Sequence, residues 1–234
     1  MSRKTVLEII RQASAELGLQ QPLTAVSSAD TTVIQMLGML TALCDELKTL
    51  HAWTALQTEY TLTLTPGTDT YTLPADFDRI INSTEWNRSQ RRPLYGPQSP
   101  QSWQQIKGWV IGNITYNYRI KANKLLLAPV PQTADTIALE YISAAFVIDG
   151  NTGSSKTAIT LDTDLLVFDD RLLINGLKLK WKEAEGLNSA PAAYDYEQTY
   201  AAVKAADGGA PILGLGKLKG LNYNFNTPEG NWNQ

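Results

Sequence analysis

Residues 164–208 constrain the fold more than any other stretch, because they carry a helical period with firm punctuation at both ends. Ile174, Leu177, Trp181 and Ala184 recur at the spacing of one helix face, with Leu166 and Leu173 beside them, which predicts a core-facing helix. Gly186 supplies a residue able to end that helix with positive φ, and Pro191 stands just inside the next start, where a missing N–H costs nothing. A second stripe of Ala193, Tyr196, Tyr200 and Val203 follows, closed by Gly208 and Gly209 before Pro211. So short a connection favours antiparallel neighbours, and a helical hairpin of this kind needs further helices to cover it.

The first 50 residues are able to supply them. Residues 3–17 place Val6, Ile9, Ile10, Ala13 and Leu17 on one side, with Gly18 as terminator. After the break at Gln21-Pro22 a second helix begins near Ser28 or Asp30 and runs to about Leu50, burying Val33, Leu37, Leu40, Cys44 and Leu47. The single Cys44 reads as a small apolar filler, and the single His51 as a residue that favours a helix C-terminus.

From Thr58 the period changes from 3.6 to 2. Tyr60, Leu62 and Leu64 alternate with threonines, Pro66-Gly67 turns, and Tyr71 and Leu73 resume, which reads as a β-hairpin. Another strand starts at Arg79-Ile80-Ile81 and leads into NRSQRRPLYGP, where Arg88, Arg91 and Arg92 form a concentrated positive patch. That patch is either a solvated hairpin tip or a contact for a partner's acidic surface or a phosphate. A short helix or turn around Ser102-Trp103 follows, anchored by Trp103 and Trp109. Strands are predicted at Thr115–Ile120, Lys124–Leu127 and Thr136–Ile142, with a tight turn at Lys121-Ala122-Asn123, and a last one at Ala158–Leu161 after the polar loop that starts at Asp149.

The fold class is therefore α+β: an antiparallel helical bundle from residues 1–55 and 163–207, an inserted antiparallel β domain over 56–162, and an extended C-terminal arm over 208–234. The arm is glycine-laced and lacks a helical stripe, yet it carries Ile212, Leu213, Leu215, Leu218, Leu221, Tyr223, Phe225 and Trp232. Such a segment either buries its large apolar side chains where a neighbouring protein provides the surface or folds back on its own subunit, and the first fits its glycine-laced, apolar composition better.

Searching for chemistry yields exclusions. Gly214-Leu215-Gly216-Lys217 is no phosphate loop, since Pro211 stands where the first glycine belongs and Leu218 where the hydroxyl residue belongs. Asp162, Asp164, Asp169 and Asp170 read as acids favoured at a helix start rather than as a catalytic pair. One cysteine and one histidine leave disulfide, thiolate-zinc and histidine-based hydrolase chemistry unsupported, and no cofactor or metal is expected. A carboxylate-only hydrolase using Glu59, Glu85 or Glu140 stays open, as does a stand-alone protein- or carbohydrate-binding β module. Net charge of −3 gives no basic excess for nucleic acid, and neither a membrane span nor a signal peptide is expected.

Several runs taken in order resemble the head-to-tail adaptor proteins, or head-completion proteins, of short-tailed bacteriophages. They are Tyr71-Thr72-Leu73-Pro74-Ala75-Asp76-Phe77-Asp78-Arg79-Ile80, Asn87-Arg88-Ser89, Arg92-Pro93-Leu94, Tyr118-Arg119-Ile120, Leu126-Leu127-Ala128-Pro129-Val130-Pro131 and Glu140-Tyr141-Ile142-Ser143. The resemblance implies a non-enzymatic virion protein, made in the host cytoplasm, that forms a ring, commonly of twelve copies, under the portal. It implies that the helical bundle and the arm of residues 207–234 engage the portal. The loops around Arg88–Arg92 and 149–155 would then face the tail hub or nozzle, while DNA passes through the lumen without sequence-specific binding.

Overall fold

The computed structural model describes residues 3–108 and 115–208 of the chain. Helix α1 (Val6–Leu17) starts on a capping box: the Thr5 hydroxyl accepts from the Glu8 N–H at 3.2 Å while the Glu8 carboxylate accepts from the Thr5 N–H at 2.8 Å. It ends at Gly18 with φ +73°. Helix α2 (Thr31–Leu50) is capped by Asp30 rather than Ser28, through the Thr32 N–H at 2.9 Å. After a 3₁₀ turn at Thr54–Leu56 come β1 (Gln57–Thr63), β2 (Thr70–Thr72), β3 (Phe77–Ile80), β4 (Trp86–Asn87), β5 (Arg92–Pro93) and helix α3 (Pro100–Gly108). Then follow β6 (Asn117–Lys121), β7 (Lys124–Ala128), β8 (Thr136–Ser143), β9 (Val147–Ile148), β10 (Ser155–Lys156) and β11 (Leu165–Leu166). Helices α4 (Asp170–Ala184) and α5 (Ala190–Asp207) complete the described chain, so the architecture is mixed α+β with antiparallel sheets.

Strand β8 is the centre of the molecule. Along one edge it pairs with β1 over the whole length of that strand, and along the other with β3 and β4, while β5 pairs with β4. Its alternating side chains serve two cores: Ile137, Leu139 and Tyr141 belong to a β cluster with Leu64, Tyr118 and Leu127, whereas Ile142 joins the helical cluster. In the helical cluster α4 packs on α1, α2 and α5, burying Leu172, Leu173, Ile174, Leu177 and Trp181. The buried face ends at Trp181; Ala184, expected on the stripe, is exposed one turn further on. On α5 the expected residues Ala193, Tyr196, Tyr200 and Val203 are half-buried, because that helix covers the core from outside.

Two strand expectations fail, each for a physical reason. Strands β1 and β2 do not form a hairpin: β1 follows β8, and β2 joins β7 and β6 in a separate sheet. The chain is diverted at the intervening turn, where the Thr65 N–H donates to the Tyr71 hydroxyl at 3.0 Å and that hydroxyl donates to the Thr68 carbonyl at 2.9 Å. Alternation assigns faces to a strand but not partners. Likewise Ala158–Leu161 is not a strand, since the Thr160 and Leu161 N–H groups both donate to the buried Asp164 carboxylate at 2.9 Å. With those donors spent on a side chain, β9 pairs instead with β10 and β11. Asp162 and Asp164 thus hold loops, whereas Asp169 caps α4 and Asp170 lies in its first turn, as expected of acids at a helix start. The tight turn at Ala122-Asn123 is as predicted, with φ of +50° and +55° as a two-residue hairpin requires. Trp109 lies outside the described residues.

Candidate functional site

Arg88, Arg91 and Arg92 sit together on the hairpin that joins β4 to β5, all three exposed. Beneath them lies the buried carboxylate of Asp135. It accepts from the Asn87 side-chain amide at 3.0 Å, the Gln90 amide at 2.6 Å, the Thr133 hydroxyl at 3.0 Å and the Tyr116 hydroxyl at 3.3 Å. The Arg88 N–H donates to the Thr136 carbonyl at 2.8 Å, and the Thr136 N–H to the Ser89 hydroxyl at 2.9 Å. Burial, reinforced by Asp135, raises the Tyr116 phenol above its usual range, so it remains a donor in this network. The loop is consequently preorganised: Arg91 is held at φ +55°, a left-handed conformation that a side-chain-bearing residue keeps only when its surroundings impose it. Arg88 donates to Glu59 at 2.8 Å, whereas Arg91 and Arg92 make no ion pair among the described residues.

The three carboxylates considered as acids do not converge. Glu85 is buried and accepts from the Tyr118 hydroxyl at 2.6 Å; burial and this contact push the Tyr118 phenol well above its usual range. Glu59 and Glu140 stand directly opposite each other in the β1–β8 register, both exposed, with Glu59 engaged by Arg88. Cys44 is buried in the helical core, and burial raises its thiol far above the usual range, as a filler's would be. Among the described residues no group of three or more His, Cys, Asp or Glu side chains is arranged to hold a metal, and no helix is long and apolar enough to cross a membrane.

Ile212, Leu213, Leu215, Leu218, Leu221, Tyr223, Phe225 and Trp232 lie outside the described residues, but the root from which they extend does not. Asp207, the last residue of α5, accepts from the Thr54 N–H at 3.0 Å and from the Thr54 hydroxyl at 2.6 Å, and His51 Nε2 lies 3.2 Å from the same carboxylate. His51 packs edge-on against Trp53, whose indole N–H donates to the Leu47 carbonyl at 2.7 Å. From the sheet, the Arg79 guanidinium of β3 donates to the Lys48 and His51 carbonyls at 2.9 and 3.3 Å. The end of α2, strand β3 and the end of α5 therefore meet at one hydrogen-bonded junction. His51 closes α2 as expected, yet its ring serves α5.

Sequence reasoning passed over Asp207, Asp135 and Asp76. A signal existed for Asp207: an acid in the last turn of a helix opposes the helix dipole, so it requires a compensating partner elsewhere. For Asp76, which accepts from the Ser143 hydroxyl at 2.6 Å and the Tyr141 hydroxyl at 3.0 Å, the partners are more than 60 residues away and no local signal marks them.

No curated protein matches this chain. A family model described as SU10 adaptor protein matches residues 4–212, which takes in every described element. Most of the chain is covered, including each strand and proline run on which the resemblance to phage adaptors rests, and the chain accordingly belongs to the SU10 adaptor protein family, bacteriophage structural adaptors.

Proposed function

We propose that the chain is a subunit of a dodecameric ring that joins the portal to the tail hub or nozzle and keeps the DNA channel continuous across the head-to-tail interface of the virion. In this reading, helices from 1–55 and 163–207 form one antiparallel bundle, 56–162 is an inserted β domain, and 208–234 is the arm that engages the portal. The observation that carries the reading is the junction at Asp207. A carboxylate held by Thr54 and His51 gives the arm a defined point of departure, and the residues beyond it are apolar enough to require a partner's surface. An arm anchored at its root reaches a neighbour at high effective concentration, and a head-to-tail contact repeated by rotation closes a ring. The Arg88, Arg91 and Arg92 hairpin, rigid and partly unpaired, suits an acidic surface on the tail side.

Truncation after Asp207 tests this directly. The truncated chain is expected to keep its melting temperature and to lose binding to isolated portal rings; portal binding equal to that of the full chain overturns the arm assignment. A second reading, a carboxylate-dependent peptidoglycan hydrolase, draws on the register that sets Glu59 against Glu140. Turbidity clearing of cell-wall suspensions that disappears in Glu59→Gln or Glu140→Gln would establish it, and clearing by neither wild type nor variant removes it.

A further inference from the structure

The loop between α1 and α2 has a construction that the adaptor reading does not explain. Its backbone is fixed from two sides: the Ala25 and Val26 N–H groups donate to the Asp162 carboxylate at 3.0 and 2.8 Å, and the Arg11 guanidinium donates to the Pro22 and Leu23 carbonyls at 2.8 and 3.0 Å. Ala25 is fully buried beneath it. Yet this fixed loop holds Leu23 85% exposed, with Val26 and, on the first turn of α2, Ile34 also exposed. Holding a leucine rigidly in water does nothing for the fold. It does lower the entropy lost when that side chain enters a recess on another protein.

Gln21 connects the loop to a groove of about 420 Å³ along α1, whose lining includes Arg3, Lys4, Glu8 and Arg11. Its lining sets three cations, Arg3, Lys4 and Arg11, against the one carboxylate of Glu8, and Asp170, which accepts from the Lys4 N–H at 3.1 Å, offsets one more, so the groove keeps a positive excess. A complementary occupant brings carboxylates to the groove and an apolar recess to Leu23.

Two occupants from the chain itself fail that requirement. Residues 209–234 carry Lys217 and Lys219 against a single acid, Glu229, so the arm has the wrong sign. A second copy offers a cleft of about 240 Å³ with Leu56, Ile148 and Val167 in its walls, but there the Asp76 carboxylate is matched by Arg3, so the apolar recess comes without the acidic excess that the groove calls for. We infer that the α1–α2 loop and the adjoining groove form a docking surface for an acidic segment of a different protein, with Leu23 as the apolar anchor and Arg3, Lys4 and Arg11 as the anion-facing side.

The inference rests on the adaptor reading in taking the portal as that protein, and the probe is the isolated portal ring. Full-length wild type, Leu23→Asp, Arg3→Glu and the chain truncated after Asp207 are titrated against it at two salt concentrations, with self-association of each measured by sedimentation. Leu23→Asp is expected to weaken binding by about tenfold or more, the size of effect that marks an anchor residue. Its melting temperature is expected to stay unchanged, because the side chain is exposed. Arg3→Glu is expected to weaken binding and flatten its salt dependence. Binding by Leu23→Asp within twofold of wild type overturns the docking surface; if truncation abolishes binding in the same experiment, the arm reading survives alone. Loss of self-association in Leu23→Asp with unchanged portal affinity also overturns it and gives the loop to a second copy. A wild-type chain that binds no portal defeats both readings.

Discussion

Glu16 illustrates how a single side chain here ties elements far apart in sequence. It lies in the last turn of α1, where the helix dipole disfavours an acid, and it receives the Lys178 ammonium at 2.6 Å and the Arg171 guanidinium at 2.7 Å, both from α4. Partial burial raises its pKa, but Lys178, Gln12 and Arg171 outweigh that and hold the carboxyl at about 2, below its ordinary 4.5. A depressed folded-state pKa contributes stability that is complete above the ordinary value and is lost as pH falls toward the depressed one. Urea denaturation should therefore show stability declining between pH 4.5 and about 2, with Glu16→Gln flattening that part of the profile. Because the cluster is partly exposed, added salt should reduce the difference. Equal slopes for the two proteins at low salt contradict the assignment. Nothing local in the sequence relates position 16 to position 178.

At the scale of elements, α4 owes its central place to a residue usually unfavourable in helices. A Cβ at Gly176 would stand 2.5 Å from Leu43 of α2 and 3.1 Å from Tyr196 of α5, so its absence lets three helices close together. Alanine gains about 1 kcal/mol of helix propensity, and accommodating it needs the flexible end of Leu43 to shift and the Tyr196 ring to give slightly. Gly176→Ala is thus expected near neutral, while Gly176→Leu should cost about 1–3 kcal/mol by overpacking, read from urea midpoints. Helix boundaries were largely decided locally, by Gly18, Asp30 and the Pro191 start. Strand partners were not, as β1 and β2 demonstrate: residues on either side of one turn join different sheets, β1 pairing with β8 and β2 with β7. The supposed strand at Ala158–Leu161 was lost for a different reason, the competition of the Asp164 carboxylate for backbone donors.

Across the whole molecule, β8 decides cooperativity. Ile137 and Ile142 are both buried on this one strand, the first in the β cluster and the second in the helical cluster, so neither core is able to lose the strand without exposing the other. Ile137→Ala and Ile142→Ala should each cost about 2–4 kcal/mol. Far-ultraviolet circular dichroism and tryptophan fluorescence should report one coincident unfolding transition in both. Separate transitions would mean that the two clusters are independent.

From sequence alone came the α+β class, the helices with several of their ends, the strand positions through most of the middle, and the exposed arginine hairpin. All of these depend on short-range rules: period, capping chemistry and turn-forming residues act within a few positions of each other. Which strand pairs with which, the carboxylates Asp76 and Asp135 that pin loops, the partners of Asp207 and the exposed Leu23 on its fixed loop were decided only by the tertiary structure. Their partners lie up to 156 residues away, as His51 and Asp207 do. Contacts of that reach are selected by the global packing of two cores around β8, and no local pattern encodes them.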